Sequence, residues 1–138
     1  MARGHGVTVM ASAAACTVGF AALPVYEVYR AGHPPAWLTG LDLLGALGLP
    51  VAVIPHHTNA EGGTHDTRFC YLGELRPAGP ERELPDGSTA LEIDEHTAVV
   101  VEPDASPARV RVWGRGVMTI RRRGWRAGVL VPGGTTLP

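Results

Sequence analysis

The chain of 138 residues has a formal net charge of −1, and its 12 basic and 13 acidic residues are interspersed along the sequence. At this length there is room for one domain with one sizeable core, so residues 1–138 are taken as a single domain. The balanced charge excludes an extended electrostatic surface for nucleic acid or for an anionic membrane. The one basic run, RRRGWR at residues 121–126, is interpreted as a solvated strand end.

The N-terminal segment has two interpretations. MARGHGVTVMASAAACTVGFAALP combines an early arginine, an apolar middle and small residues, as a secretory signal does. The β-branched run at residues 7–10 and the polar Ser12 and Thr17 favour instead a short buried strand followed by a helix of small residues over 12–23. A membrane span is disfavoured because Pro24 ends the apolar run before the roughly 20 residues that a span requires.

The two cysteines bear on the compartment. Cys16 and Cys70 lie in apolar stretches, without the spacing of a metal site or of a disulfide framework. This pattern favours buried thiols in a reducing compartment, and we therefore expect the cytoplasm.

The rest of the chain changes character from its first half to its second. Residues 24–35, rich in proline and glycine, are predicted to be irregular, and VAVI at residues 51–54 is predicted to be a buried strand that ends at Pro55. A helix is predicted over residues 68–75, capped by Asp66 or Thr67. From residue 89 onward, TALEI, TAVVV, ARVRVW, GVMTI and GVLV predict short strands and hairpins. The sequence therefore predicts an α/β domain: a mainly parallel sheet of the Rossmann or flavodoxin-like type with helices on both faces and a C-terminal antiparallel β extension.

The histidine-rich loop after the strand at 51–54 is the first candidate site, because ligands of open α/β sheets bind beyond the C-terminal ends of the strands. It supports three interpretations. His56, His57, His65 and Asp66 could bind zinc. The same side chains could satisfy backbone groups of an ordinary loop. Alternatively, a histidine could act as general base for Ser12.

Ser12 lies at the predicted junction of a strand and a helix, where a hydroxyl is exposed above the sheet and developing negative charge is favoured. The tight turn of such a nucleophile usually carries glycine two places to either side, where this chain has Met10 and Ala14. A simple helix N-cap is the alternative role. A serine–histidine pair also needs a group that orients the histidine, and Glu27 lies between the two segments in the chain.

Several motifs together resemble one family. IPHHTNAEGGTHDTRF at residues 54–69 resembles a loop of the dipeptidase E and cyanophycinase family of serine peptidases, in which a strand ends in Pro-His-aromatic and a Thr-Arg follows. IDEHTAVVVE at 93–102 resembles the family's Asp-Glu-x-Thr-Ala strand, VWGRGVMTI at 112–120 its terminal hairpin, and ASAAACTVG at 11–19 its Ser-Ala-Gly-Ala elbow. The resemblance covers nearly the whole chain and is strongest over residues 51–101. It implies a class I glutamine amidotransferase-like α/β fold.

The resemblance also implies roles for individual residues. Ser12 matches the nucleophile, His56 the general base and Glu27 the acidic member, and the amide of Ala13 would supply half of an oxyanion hole. The implied activity is hydrolysis of aspartyl-type peptide bonds through an acyl-enzyme, with small peptides as substrates and without a cofactor or a metal.

Two further residues are assigned to substrate binding, Arg68 and Asn59. The planar guanidinium of Arg68 matches a substrate carboxylate, although a structural salt bridge within the loop is an equal alternative. Family members have a substantial segment before the elbow, so the resemblance implies an N-terminally truncated or split member completed by another chain or a second copy. The alternative is a catalytically inactive relative that acts as a binding or assembly subunit.

Overall fold

A computed structural model describes residues 6–60, 62–64, 66–71, 84–104, 108–122 and 125–133. The elements in chain order are a 3-10 helix Ser12–Thr17, β1 Ala21–Ala22, α1 Val25–Tyr29, β2 Leu38–Thr39, a 3-10 helix Gly45–Leu47, β3 Val51–Ile54, α2 Arg68–Tyr71, β4 Thr89–Ile93, β5 Thr97–Glu102, β6 Arg109–Gly114, β7 Met118–Arg122 and β8 Trp125–Leu130.

The centre of the molecule is a four-stranded mixed sheet with the order β3-β4-β7-β8. β3 pairs with β4 in parallel, and β7 pairs antiparallel with both β4 and β8. β1 with β2 and β5 with β6 form two further antiparallel pairs. The strand predicted at residues 51–54 is confirmed, as are the five predicted β-rich segments of the C-terminal half. Valine, isoleucine and threonine dominate these segments because branched side chains pack well on a pleated surface.

Both faces of the central sheet are covered. Successive side chains of a strand point to opposite faces, so Ala52 and Ile54 pack against one layer while Val51 and Val53 pack against another. The first layer comes from the N-terminal half and from α2, with the buried residues Cys16, Ala21, Leu23, Val25, Val28 and Cys70. The second layer is the β5–β6 hairpin, with Val110 and Val112.

The predicted Rossmann-like arrangement with helices on both faces is wrong. Within the described residues, α1 has five residues, α2 has four, and a β-hairpin covers the second face of the sheet. Only the β3–β4 pair is parallel in the described sheets. The reason lies in the connections: the strands from β4 to β8 follow one another after two to six residues, whereas a parallel crossover needs a dozen or more.

The strand predicted at residues 7–10 and the helix predicted over 12–23 are also wrong. Residues 7–10 form no strand, and the side chains of Val7 and Val9 are 89% and 79% exposed. The 3-10 helix ends at Thr17 because the chain turns onto β3, where the Phe20 amide donates to the Val51 carbonyl oxygen at 3.1 Å. Gly19 permits this approach, since a Cβ there would collide with the same carbonyl.

The α-helices differ from the prediction in number and length. α1 forms in a stretch predicted to be irregular, and it buries Val25 and Val28, one helical turn apart. α2 begins at the predicted residue, but residues 72–75 of the predicted helix lie outside the described residues. In the part of the chain that is described, no helix combines the length and apolar character needed to cross a membrane.

Candidate active site

Ser12 and His56, separated by 44 positions in sequence, are in contact. The distance between Ser12 Oγ and His56 Nε2 is 3.1 Å. Ser12 opens the 3-10 helix that docks beside β3, and His56 stands two residues beyond the end of that strand. This separation is the hydrogen-bonding distance expected between a nucleophile and its general base.

The backbone at both residues is in the left-handed region. The φ angle is +53° at Ser12 and +57° at His56. Residues other than glycine rarely adopt this conformation, and where they do so the strain is held by surrounding structure and is concentrated at functional sites. A strained turn between extended backbone, here Ala11, and a helix is one feature of a nucleophile elbow, although residues 6–11 form no strand before Ser12. The N-cap position belongs to Ala11, so Ser12 does not act as the N-cap of this helix.

The second ring nitrogen of His56 contacts Asn59. The amide Nδ2 of Asn59 lies 3.2 Å from His56 Nδ1. Asn59 is 4% exposed, and the Thr67 hydroxyl donates to its carbonyl oxygen at 3.4 Å. Asn59, assigned from the sequence to substrate binding, therefore contacts the ring nitrogen of His56 that does not face Ser12.

Glu27, assigned from the sequence as the acidic member, is not brought to His56. It lies exposed in the first turn of α1, and its carboxylate makes no hydrogen bond or ion pair with any described residue. Asn59 stands three places after His56 in the same loop, but no pattern in the sequence marks it as the residue that contacts the ring.

A cavity of about 160 Å³ opens beside the Ser12–His56 pair. Its described lining residues are Ser12, Ala13, Val25, Tyr26, Tyr29, Arg30, His56 and Cys70. Arg30 is the one permanently charged side chain among them, and its guanidinium lies 5.7 Å from the centre of the Tyr26 ring. Within residues 6–60 and the other described ranges, no carboxylate is in ion-pairing distance of Arg30. The described lining of the cavity therefore includes both a permanent cation and the serine.

The Ala13 amide is positioned next to the serine, as the oxyanion assignment requires. Ala13 lines the cavity, and across the described residues its N–H donates to no backbone carbonyl. The first amides of a helix generally lack an intrahelical acceptor and are available to a ligand.

Arg68 is held within the loop and does not line the cavity. Its Nη2 lies 2.6 Å from Asp66 Oδ2, and its Nε donates to Asp66 Oδ1 at 2.8 Å. Of the two roles left open by the sequence, the salt bridge within the loop is the one observed. The cation at the cavity is Arg30, which the sequence analysis did not single out because α1 was not predicted.

His57 and the first arginine of the basic run belong to a network around a buried carboxylate. Glu92, 3% exposed on β4, lies 3.2 Å from His57 Nδ1 and accepts a hydrogen bond of 2.7 Å from Arg121 Nε. The backbone amide of His57 donates to the Ile93 carbonyl oxygen at 2.9 Å. Arg121 is therefore not part of a solvated strand end, and the network fixes the backbone immediately after His56.

The zinc interpretation finds no cluster in the described part of the chain, where no three potential ligands converge. One of its proposed ligands, His65, lies outside the described residues. His56 and His57 contact different partners, Ser12 and Glu92.

Comparisons with models of protein families, with curated proteins and with solved structures found no significant match to the chain. The resemblance to the dipeptidase E family accordingly stays a prediction, and the function must be argued from the geometry of the site.

Proposed function

We propose that the chain is a serine hydrolase-like domain, of the dipeptidase E type, that cleaves peptide bonds through an acyl-enzyme. The observation that carries the proposal is the 3.1 Å contact between Ser12 Oγ and His56 Nε2, with Ser12 at a left-handed turn beside a cavity. If Ser12 were a helix N-cap, its hydroxyl would bond to an amide of the helix and would not face His56. If His56 only bonded to groups of its own loop, strained backbone at both Ser12 and His56 would have no purpose.

In the proposed reaction, His56 Nε2 takes the hydroxyl proton as Ser12 Oγ attacks the substrate carbonyl carbon. The amide of Ala13 donates to the oxyanion that forms, and His56 then returns the proton to the leaving amine. Water hydrolyses the resulting ester by the same steps, with His56 as base.

Asn59 has to set the tautomer of His56 for this chemistry. Nε2 can accept the hydroxyl proton only if Nδ1 carries the other ring proton, and Nδ1–H then needs an acceptor. Rotation of the Asn59 amide by half a turn exchanges Oδ1 with Nδ2, and heavy-atom positions alone do not distinguish the two orientations. With Oδ1 toward the ring, Asn59 accepts from Nδ1–H, as the orienting acid does in related triads.

The charge of the cavity supports a substrate with an acidic side chain. Arg30 lies in the cavity wall with Ser12, while the alternative cation, Arg68, is engaged by Asp66. A guanidinium matches a carboxylate in shape as well as in charge, and a cavity of about 160 Å³ fits a small acyl group better than an extended peptide. Aspartyl-type peptides are therefore the proposed substrate class, without a cofactor. The cytoplasm remains the proposed compartment, because the spacing of the two cysteines is not that of a disulfide framework.

Labelling with a fluorophosphonate probe tests the nucleophile. The chain should be modified at Ser12, Ser12→Ala should abolish labelling, and His56→Gln should slow it by about 10²–10⁴-fold because the general base is lost. Ser88→Ala and His33→Gln, both outside the cavity, are the matched controls and should label at the original rate. Labelling that survives Ser12→Ala, or that His56→Gln leaves unchanged, contradicts the proposal.

The role of Arg30 is tested separately with peptides. Arg30→Gln should raise KM for an acidic peptide by about tenfold or more relative to a neutral one, since a hydrogen bond to a charged group contributes about 1.5–3 kcal/mol. Arg115→Gln, at an exposed arginine away from the cavity, should leave KM unchanged for both peptides. An equal rise in KM for both peptides in Arg30→Gln would mean that Arg30 does not recognise the charge of the substrate.

A second candidate function is that of an inactive assembly subunit, and one observation favours it. Val7, Val9 and Met10 immediately precede Ser12 and are exposed, which suits a surface that another chain covers. The absence of any probe labelling in the folded chain, together with a stable oligomer that Val9→Asp dissociates, would support this candidate over the hydrolase.

A further inference from the structure

Two thiols that the proposed reaction does not use lie in contact beside the cavity. The Sγ atoms of Cys16 and Cys70 are 3.0 Å apart, although the residues are 54 positions apart in the chain. Both side chains are free and 1% exposed. Cys16 belongs to the 3-10 helix that carries Ser12, and Cys70 belongs to α2 and lines the cavity.

The separation of the two sulfur atoms is within about 1 Å of that in a disulfide. The sulfur atoms of a disulfide are separated by about 2.05 Å, so bonding requires the two atoms to approach by about 1 Å. No other atom has to leave the space between them, because the two sulfur atoms are already in contact. The φ angle of Cys70 is +58°, a strained value that indicates a residue held in position by its surroundings.

We infer that Cys16 and Cys70 are a modification site, an oxidisable dithiol that a small peroxide reaches through the cavity and converts to an intramolecular disulfide. This inference does not depend on the proposed hydrolase, because it uses neither Ser12 nor His56. The peroxide meets Cys70 first, since Cys70 is the member of the pair that lines the cavity.

The reaction consumes one peroxide for each pair of thiols. The Cys70 thiolate attacks one peroxide oxygen, the O–O bond breaks, and the departing hydroxide takes up a proton to give water, leaving a sulfenic acid. The sulfur of Cys16 then attacks the sulfenic sulfur, the S–S bond forms, the S–O bond breaks, and a second water leaves. Two electrons pass from the thiols to the peroxide, and both thiol protons end in water.

The reduced pair is slow to react at neutral pH. The hydrogen bond with Cys16, followed by burial, raises the pKa of Cys70 well above its usual range. The thiolate is the reactive form, so its small fraction at neutral pH limits the rate, and oxidation should accelerate as the pH rises. The dithiol should therefore stay reduced during brief exposure to peroxide and form the disulfide during sustained exposure.

Mass spectrometry of the full chain tests the inference. The reduced protein is treated with hydrogen peroxide, its remaining thiols are blocked with N-ethylmaleimide, and it is digested with trypsin without reduction. We expect a cross-linked species that joins peptides 4–30 and 69–82 and lacks two hydrogen atoms, with loss of both maleimide adducts. Dithiothreitol should restore both adducts. Since the chain has two cysteines, an intramolecular link can only be this pair.

The controls separate proximity from general reactivity. Formation of the link should be independent of protein concentration and faster at mildly alkaline pH. In about 8 M urea, which exceeds typical unfolding midpoints, the chain is unfolded. The 3.0 Å contact is then lost and should no longer favour this link over intermolecular products. In Cys16→Ser, dimedone should capture Cys70 as a sulfenic acid. Retention of both thiols in wild type under conditions that oxidise the unfolded chain, or intermolecular disulfides alone, would overturn the inference.

Discussion

Replacement of Glu92 by glutamine should destabilise the fold strongly, because its carboxylate is buried. The side chain is 3% exposed and joins the loop after β3 to β7 through its contacts with His57 and Arg121. Glutamine keeps the volume but removes the charge, which leaves the Arg121 guanidinium, 22% exposed, without its carboxylate. Breaking a buried ion pair from one side costs about 3–5 kcal/mol.

We take about 3 kcal/mol, at the lower end, because Arg121 retains some contact with water. With an unfolding entropy of about 2.1 cal/mol/K per residue, this corresponds to a fall in Tm of about 10 °C for a chain of this length. Urea unfolding followed by tryptophan fluorescence measures the free energy of unfolding directly, and thermal unfolding gives the Tm.

Glu102 provides the matched control. It also faces two arginines, at 3.6 Å from Arg109 and 3.4 Å from Arg111, but it is 39% exposed. Exposed ion pairs contribute about 0–1 kcal/mol, so Glu102→Gln should change stability little. Equal losses in Glu92→Gln and Glu102→Gln would refute the reasoning, because burial would then have no influence on the strength of the pair.

Three further predictions concern single positions. Asn59→Ala should slow fluorophosphonate labelling of Ser12 by up to about 100-fold. Asn59→Asp should label about as fast as wild type, with the pH profile of the labelling rate shifted upward, because a carboxylate stabilises the protonated imidazole. Rates and pH profiles that neither variant changes would exclude an orienting role. Gly19→Ala should lower the free energy of unfolding by about 1–3 kcal/mol, since the new Cβ meets the Val51 carbonyl, whereas Gly128→Ala meets only a side-chain atom at 3.7 Å and should not; equal losses in a urea titration would count against that contact. Because the pKa of Cys70 is raised, the folded chain holds the thiol proton more tightly than the unfolded chain, whose thiol pKa is near 9.0. The contribution of this thiol to stability is therefore complete below that pH and declines above it by up to about 1.4 kcal/mol per pH unit. Cys70→Ser should remove this alkaline decline, and an identical pH profile of stability in wild type and variant would refute the prediction.

The strands could be predicted from the sequence because their signal is local. β-branched runs bounded by turn residues fixed the positions of β3 to β8 within one or two residues for most strands. The pairing was harder to predict, since a buried strand next to small residues suggests parallel α/β units, whereas the short connections between successive strands from β4 to β8 exclude parallel crossovers. The length of the connections between strands therefore predicts the pairing better than the composition of the strands does.

The helices could not be predicted because tertiary contacts decide them. The alanine-rich run from residue 12 suits a helix by propensity, but the bond between Phe20 and Val51 ends it after six residues. α1 forms in a proline-flanked stretch because Val25 and Val28 reach the core. Its omission from the prediction also hid Arg30.

The pairing of Ser12 with His56 was predicted for a partly mistaken reason. The sequence suggested two neighbouring strand ends, yet residues 7–10 form no strand and the docking of a 3-10 helix on β3 brings the serine to the histidine. The choice between Glu27 and Asn59 depends on the direction of a loop after Pro55, which no local pattern encodes.

The parallel pairing of β3 with β4 sets the order in which the site can be assembled. β3 ends at Ile54 and its ladder partner begins at Thr89, so during synthesis the histidine loop leaves the ribosome well before the strand that anchors it. The β5–β6 and β7–β8 hairpins close over short spans and form quickly, whereas the long-range pairing of β3 with β4 has a larger loop-closure entropy cost. The nascent N-terminal half therefore emerges with an unpaired, apolar strand, and the loop that carries His56 is anchored only after β4 has been made and pairs with β3.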